Sequence, residues 1–244
     1  MSRKLKAFTM AEVLVTIGII GLLAAVLLPS INSNVVKKQY ATALRSISTN
    51  ISDKIQAQMA LEDVGEVGDL KAFVNNTDVS GFRKDFAKII DMRPAPDNLT
   101  FKTLNGKPAT DLAWASNTWS ADILGVMKNG GILMIGNYSQ NGTSNTAIAT
   151  IQANGGAMYR NYATMFIDVN GYKKPNIIGR DIFRFELGQD GTLYPMGGKD
   201  SSIFSGFTDS AWRTTNSWHG CKDKSSYGLG CAGRIRESNW VMNY

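Results

Sequence analysis

The chain has 244 residues, 43% hydrophobic and 19% charged, with a formal net charge of +6 at pH 7. That balance builds a core and excludes wholesale disorder, while one His and two Cys leave little material for a zinc centre or a histidine-based active site. Arg3, Lys4 and Lys6 supply half of the net charge, so the rest is too weakly basic to argue for nucleic-acid binding, and the composition favours a binding or structural role over catalysis.

From residue 8 to residue 28 the run "FTMAEVLVTIGIIGLLAAVLL" carries a single charge, Glu12. As a helix these 21 residues would be roughly 32 Å long, enough to cross the hydrocarbon core of a bilayer. The basic residues before it should stay cytoplasmic, which sends everything after Pro29 outward. A removable secretory signal also starts with a basic region, but this run exceeds the usual apolar length and no small-x-small site follows. Glu12 needs a reason of its own, because a carboxylate at the bilayer centre costs roughly 2.5–3.5 kcal/mol. Either it snorkels to the nearby interface, or it has a specific partner.

A short basic leader ending in Ala7, the string "AFTMAE", the apolar run and Pro29 closely resemble the amino terminus of the type IV pilin superfamily, which includes pilins and type II secretion pseudopilins. The resemblance implies cleavage by a prepilin peptidase between Ala7 and Phe8, with methylation of the new Phe8 amino terminus. Ala7 stands where Gly is usual. Thr9 matches a common second residue, Glu12 the acid five residues into the mature chain, and Pro29 a helix-disturbing proline. Glu12 would pair with the amino terminus of Phe8 on a neighbouring subunit, finding that partner only when subunits dock in register. Gly18, Gly21 and Pro29 let the segment bend or melt on assembly; ordinary small-residue packing between membrane helices is the other reading.

Past Pro29 the pattern becomes amphipathic. Tyr40, Leu44, Ile47, Ile51 and Ile55 recur at three- or four-residue spacing, with Lys37, Lys38, Arg45 and Lys54 interspersed. This predicts a helical stem over 8–61, membrane-spanning over 8–28, whose second half supports a head over 65–244; residues 1–7 are the leader. In the head, Phe82, Phe86, Ile89 and Ile90 mark a helical face stopped near Pro94. Hairpins are expected around Asn129-Gly130 and Asp190-Gly191, with a polar loop over 139–146 and a short strand in "ATIQANGG". The expected fold class is α+β, a long helical stem packed on an antiparallel sheet.

"DVNGYKKPNIIGRD" gathers Asp168, Asn170, Asn176 and Asp181 around a Gly- and Pro-bearing loop. One reading is an ordered turn in which these side chains bond the local backbone. The other is a calcium site, since calcium favours oxygen ligands, although a complete EF-hand pattern is absent. Cys221 and Cys231 bracket nine mostly small and polar residues. Outside the cytoplasm this spacing suits a disulfide, worth somewhat under ~3 kcal/mol in the chain-entropy account, and it resembles the carboxyl-terminal disulfide loop of many pilins. Ile235, Trp240, Val241 and Tyr244 are expected to return to the core.

His219 lacks a nucleophile or acid–base set around it, which leaves no argument for an enzyme. Lys222, Lys224, Arg234 and Arg236 read as a solvated surface rather than a DNA-contacting patch. The expected function is a structural subunit of a type IV pilus-like filament. Its partners would be copies of itself, other pilin-like subunits, the prepilin peptidase and the assembly platform. It would enter the inner or cytoplasmic membrane as a single-pass precursor, then join a surface or periplasmic filament, with no cofactor required. A type II secretion pseudopilin is the near alternative, and a membrane-anchored binding protein or enzyme the distant one. Loss of secretion on deletion would mark the first, and independence from Glu12 the second.

Overall fold

The computed structural model describes residues 8–76, 79–95, 99–108, 122–143, 160–201, 211–213, 220–223 and 225–244, with side chains left out at 26–32, 79–80, 137–143 and 211. Helix α1 (Met10–Glu62) is 53 residues long and continues through position 29. The chain divides into two units, Met1–Gln39 and Tyr40–Tyr244.

In the first unit α1 leaves its apolar side chains bare, with Met10 80% and Leu22 69% exposed. No helix among the described residues is long and apolar enough to cross a membrane. The leader 1–7 lies outside the described residues, as do the side chains of 26–32, Pro29 among them.

The second unit is an α+β fold in which the helices pack on a five-stranded antiparallel sheet. Its strands are β1 (Asp122–Val126), β2 (Ile132–Thr143), β3 (Asn161–Asp168), β4 (Ile182–Gly188) and β5 (Leu193–Pro195). They pair in sequence order, each antiparallel to the next. Successive side chains of a strand point to opposite faces, and here both faces are covered. Leu133, Ile135, Met165, Ile167, Phe183 and Phe185 join the core that holds the α1 side chains Leu44, Ile47, Ile51 and Ile55. Ile132, Met134, Phe166 and Ile182 form a second core on the other face with Met196 and Leu229. Double coverage is why "ILMI" and "MFI" read as unbroken apolar runs rather than alternating ones.

The expected helical face of α1 is buried: Leu44, Ile51 and Ile55 have no exposed surface, and each such side chain contributes about 1.5–3 kcal/mol. The helix stops at Asp63, whose φ is +54°. There Val64 N–H donates to Met59 O at 3.0 Å and Asp63 N–H to Ala60 O at 3.4 Å, a Schellman ending. Between α1 and the sheet come a 3-10 turn (Val67–Asp69), the short helix α2 (Lys71–Val74) and α3 (Val79–Ile90). Phe73 of α2 meets Phe82 edge-on at 4.8 Å between centroids, and Phe82 stacks on Phe86 at 5.1 Å. Both expected hairpins form: Met127 N–H donates to Gly131 O across the Asn129-Gly130 turn, and Gly188 N–H to Thr192 O across Asp190-Gly191.

Three expectations are corrected. Residues 139–143 of the expected polar loop belong to β2, whose Tyr138 and Thr143 pair with Ala163 and Asn161, so backbone pairing overrides polar composition there; residues 144–146 and "ATIQANGG" lie outside the described residues. Val241 is 54% exposed and Met242 takes its place inside. The cause is the end of α4 (Cys231–Glu237), where Asn239 and Trp240 both adopt positive φ and turn the chain by one position. Arg234 is not a solvated charge: its guanidinium donates to Cys221 O at 2.5 Å and Lys222 O at 2.8 Å, beside the Trp212 and Tyr244 rings. The disulfide Cys221–Cys231 forms, with 5.0 Å between Cα atoms and both residues fully buried.

Candidate functional site

The start of α1 is closed by its own side chains. Thr9 precedes the first helical residue, and its N–H and hydroxyl donate to Glu12 Oε2 at 2.9 and 2.8 Å. In return Glu12 N–H donates to Thr9 Oγ1 at 3.3 Å. This reciprocal pairing of an N-cap Thr with a Glu three residues on is a capping box, which satisfies backbone donors that a helix start leaves orphaned. The sequence expectation gave Glu12 a partner only between docked subunits; the single chain already supplies Thr9. The signal was present as T-x-x-E and was not read. Glu12 Oε1 accepts no hydrogen bond among the described residues, so the carboxylate keeps one free face.

Beyond the cap, Val13, Leu14, Ile17, Ile19 and Ile20 are 41–67% exposed. Monomeric soluble proteins rarely leave such a run of apolar side chains bare. A Cβ added at Gly18 or Gly21 would meet nothing within 4 Å among the described residues.

The β3–β4 loop gathers all four oxygen-bearing residues singled out in the sequence. Asp168 ends β3 and Asp181 precedes β4, and neither has exposed surface. Asp168 Oδ1 accepts from Asn170 N–H at 3.1 Å. Asp181 Oδ2 accepts from Asn176 N–H at 2.8 Å and Asn170 Nδ2 at 3.2 Å, and its Oδ1 from Ile177 N–H at 2.6 Å. The ordered-turn expectation therefore holds. These bonds do not satisfy the cluster: Asp168 Oδ2, Asn170 Oδ1 and Asn176 Oδ1 are buried without a hydrogen-bond partner. Burial and the nearby Asp181 charge push the Asp168 carboxyl up to about 8, and burial pushes Asp181 up as well.

Neighbouring elements hold the loop tightly. Asn170 Nδ2 donates to Tyr40 Oη of α1 at 2.9 Å, and Tyr244 Oη donates to Gly179 O at 2.7 Å. Gly171, at φ +70°, passes so near the β1–β2 turn that a Cβ would collide with Gly130 O. Only glycine fits there. Sequence reading found the donors but missed Tyr40 as the contact that joins them to α1, because nothing local to Tyr40 distinguishes it from a core residue.

A groove of about 700 Å³ between α3 and β1 is lined by Arg83, Lys84, Lys88 and Arg93. Arg83 is turned into the fold, donating to Ile123 O at 2.9 Å, and Lys88 pairs with Asp85 at 2.8 Å. Among the described residues no three His, Cys, Asp or Glu side chains group to hold a metal. His219 and Lys224 lie outside the described residues. No protein family, no curated protein and no solved structure matches this chain.

Proposed function

We propose that this chain is a structural subunit of a type IV pilus-like filament, processed between Ala7 and Phe8 and assembled through the apolar start of α1. The observation that carries the reading is the conjunction of a prepilin-like string at residues 6–31 with apolar side chains from Phe8 to Leu23 that are exposed among the described residues. In water that surface is unfavourable at roughly 25 cal/mol per Å². Lipid covers it in the precursor over 8–28, and the same stretch of neighbouring subunits covers it in the filament.

The capping box refines the part Glu12 plays. Oε2 stays on Thr9 and stiffens the first turn, which leaves Oε1 for the amino group of Phe8 on the next subunit. A charge pair of this kind selects register more than it adds stability. The head, with its disulfide and its two-faced core, is displayed outward.

Mass spectrometry of the amino-terminal peptide from the native cell tests processing. The expected peptide begins at methylated Phe8; a start at Met1 or Ser2 overturns the reading. Glu12→Ala should insert into the membrane normally yet be lost from sheared filaments, and normal incorporation would remove the role given to Glu12.

A further inference from the structure

The geometry points to a calcium site in the β3–β4 loop, formed by Asp168 Oδ2, Asn170 Oδ1, Asn176 Oδ1 and the Asp181 carboxylate. It stands apart from the filament reading, since none of its residues belongs to the apolar start of α1.

Native proteins leave few buried polar atoms unpaired, and each exception calls for an explanation. Here three fall in one loop, and all three are oxygens. Asp168 has no exposed surface, so its Oδ2 has no bulk water to turn to. Two buried carboxylates also share the loop, and neither has an ion-pair partner among the described residues. Lys173, Lys174 and Arg180 are carried on the same loop without closing that gap. A donor side chain or a proton would relieve one oxygen. A single cation relieves all of them and the charge as well.

The ligand chemistry selects among cations. All the donors are carboxylate or carboxamide oxygens, which excludes the soft-ligand metals. Calcium accepts six to eight oxygens in an irregular shell, whereas magnesium demands a small octahedron and retains several waters. Four side chains spread over 14 residues of a glycine-turned loop suit the first. Hydrogen bonds already orient the set: Asn170 Nδ2 is committed to Asp181 and Tyr40, and Asp168 Oδ1 to the Asn170 N–H. Binding would fix the loop against α1, the Gly130 turn and Tyr244 together, so it should be felt by the whole 40–244 unit.

The test uses the full chain in detergent micelles, titrated with calcium chloride by calorimetry and melted with calcium or with EDTA. One calcium per chain is expected, with a rise of about 5 °C or more in melting temperature at hundredfold excess over the dissociation constant. Asp168→Asn keeps the Oδ1 acceptor and replaces the Oδ2 ligand by an amide nitrogen, so it should fold and bind at least tenfold more weakly. Asn176→Gly is a second variant, because φ at Asn176 is +52° and glycine tolerates it; it too should bind more weakly. Absence of binding by the wild type overturns the site. So does an unchanged calcium response in both variants, or an equal rise with magnesium chloride at the same concentration.

Discussion

Residues 10–25 and 40–62 lie on one helix and are both rich in Ile, Leu and Val, yet they behave oppositely. Ile17 and Ile20 are 62% and 64% exposed, whereas Ile51 and Ile55 have no exposed surface. The difference lies in patterning rather than in hydrophobicity. The later stretch buries apolar residues at positions such as 44, 47, 51 and 55 and exposes polar ones such as Thr49, Asn50 and Asp53. The earlier stretch is apolar all round, and no single flank of a small fold can cover that. A helix with one apolar stripe is buried along that stripe; one apolar over most of its surface stays bare among the described residues.

The largest contrast should come from truncating one isoleucine in each stretch. Ile51→Ala leaves a cavity in the core between α1 and the sheet and should cost about 2–5 kcal/mol in urea unfolding. Ile19→Ala, at a position 54% exposed, should stay within about 0.5 kcal/mol. A loss above ~1 kcal/mol at Ile19 would show that the first stretch is packed within the chain, and the comparison would fail.

Hydroxyl groups sharpen it at a smaller scale. Ser52 Oγ is buried and accepts the Leu193 N–H of β5 at 2.9 Å, so it ties the helix to the sheet. Ser52→Ala strands that donor and should cost about 1–3 kcal/mol. Thr16 Oγ1 only donates to Val13 O at 2.9 Å, three residues back on the same exposed helix. Thr16→Ala should therefore be neutral or gain a few tenths of a kcal/mol from helix propensity. Both are read from the same denaturation curves as the isoleucine pair.

What was legible in the sequence follows the same division. Elements specified by local periodicity were readable: the packed face of α1, the Phe82–Phe86 face of α3 and the two Gly-centred hairpins. Elements decided by long-range partners were not. Residues 139–143 look like loop and are strand because β3 pairs with them, and Arg234 looks solvated until Trp212 and Tyr244 enclose it. Helix α2 is one turn long, too short to show any period, and buries Ala72 and Phe73. The oxygen cluster of the β3–β4 loop was visible as composition. Which atoms would stay unsatisfied depended on burial by Tyr40, Gly130 and Tyr244, none of which is near it in sequence.

The smallest effect separates two roles of one carboxylate. Thr9→Ala removes the N-cap oxygen and should cost about 0.5–2 kcal/mol, confined to the first turn of α1. Hydrogen exchange at the amides of residues 10–12 would report it, while the melting of the 40–244 unit stays unchanged. Glu12→Gln is the informative partner to this variant, because Gln serves in a capping box as Glu does. If Glu12 matters only as a cap, Gln should preserve both the amide protection and filament incorporation. If its charge is read by the Phe8 amino group of a neighbour, Gln should preserve the protection and lose the incorporation. Loss of protection in the Gln variant would mean that the 2.8 and 2.9 Å contacts to Thr9 depend on the charge itself. Cap and assembly would then be one function of the same oxygen pair rather than two.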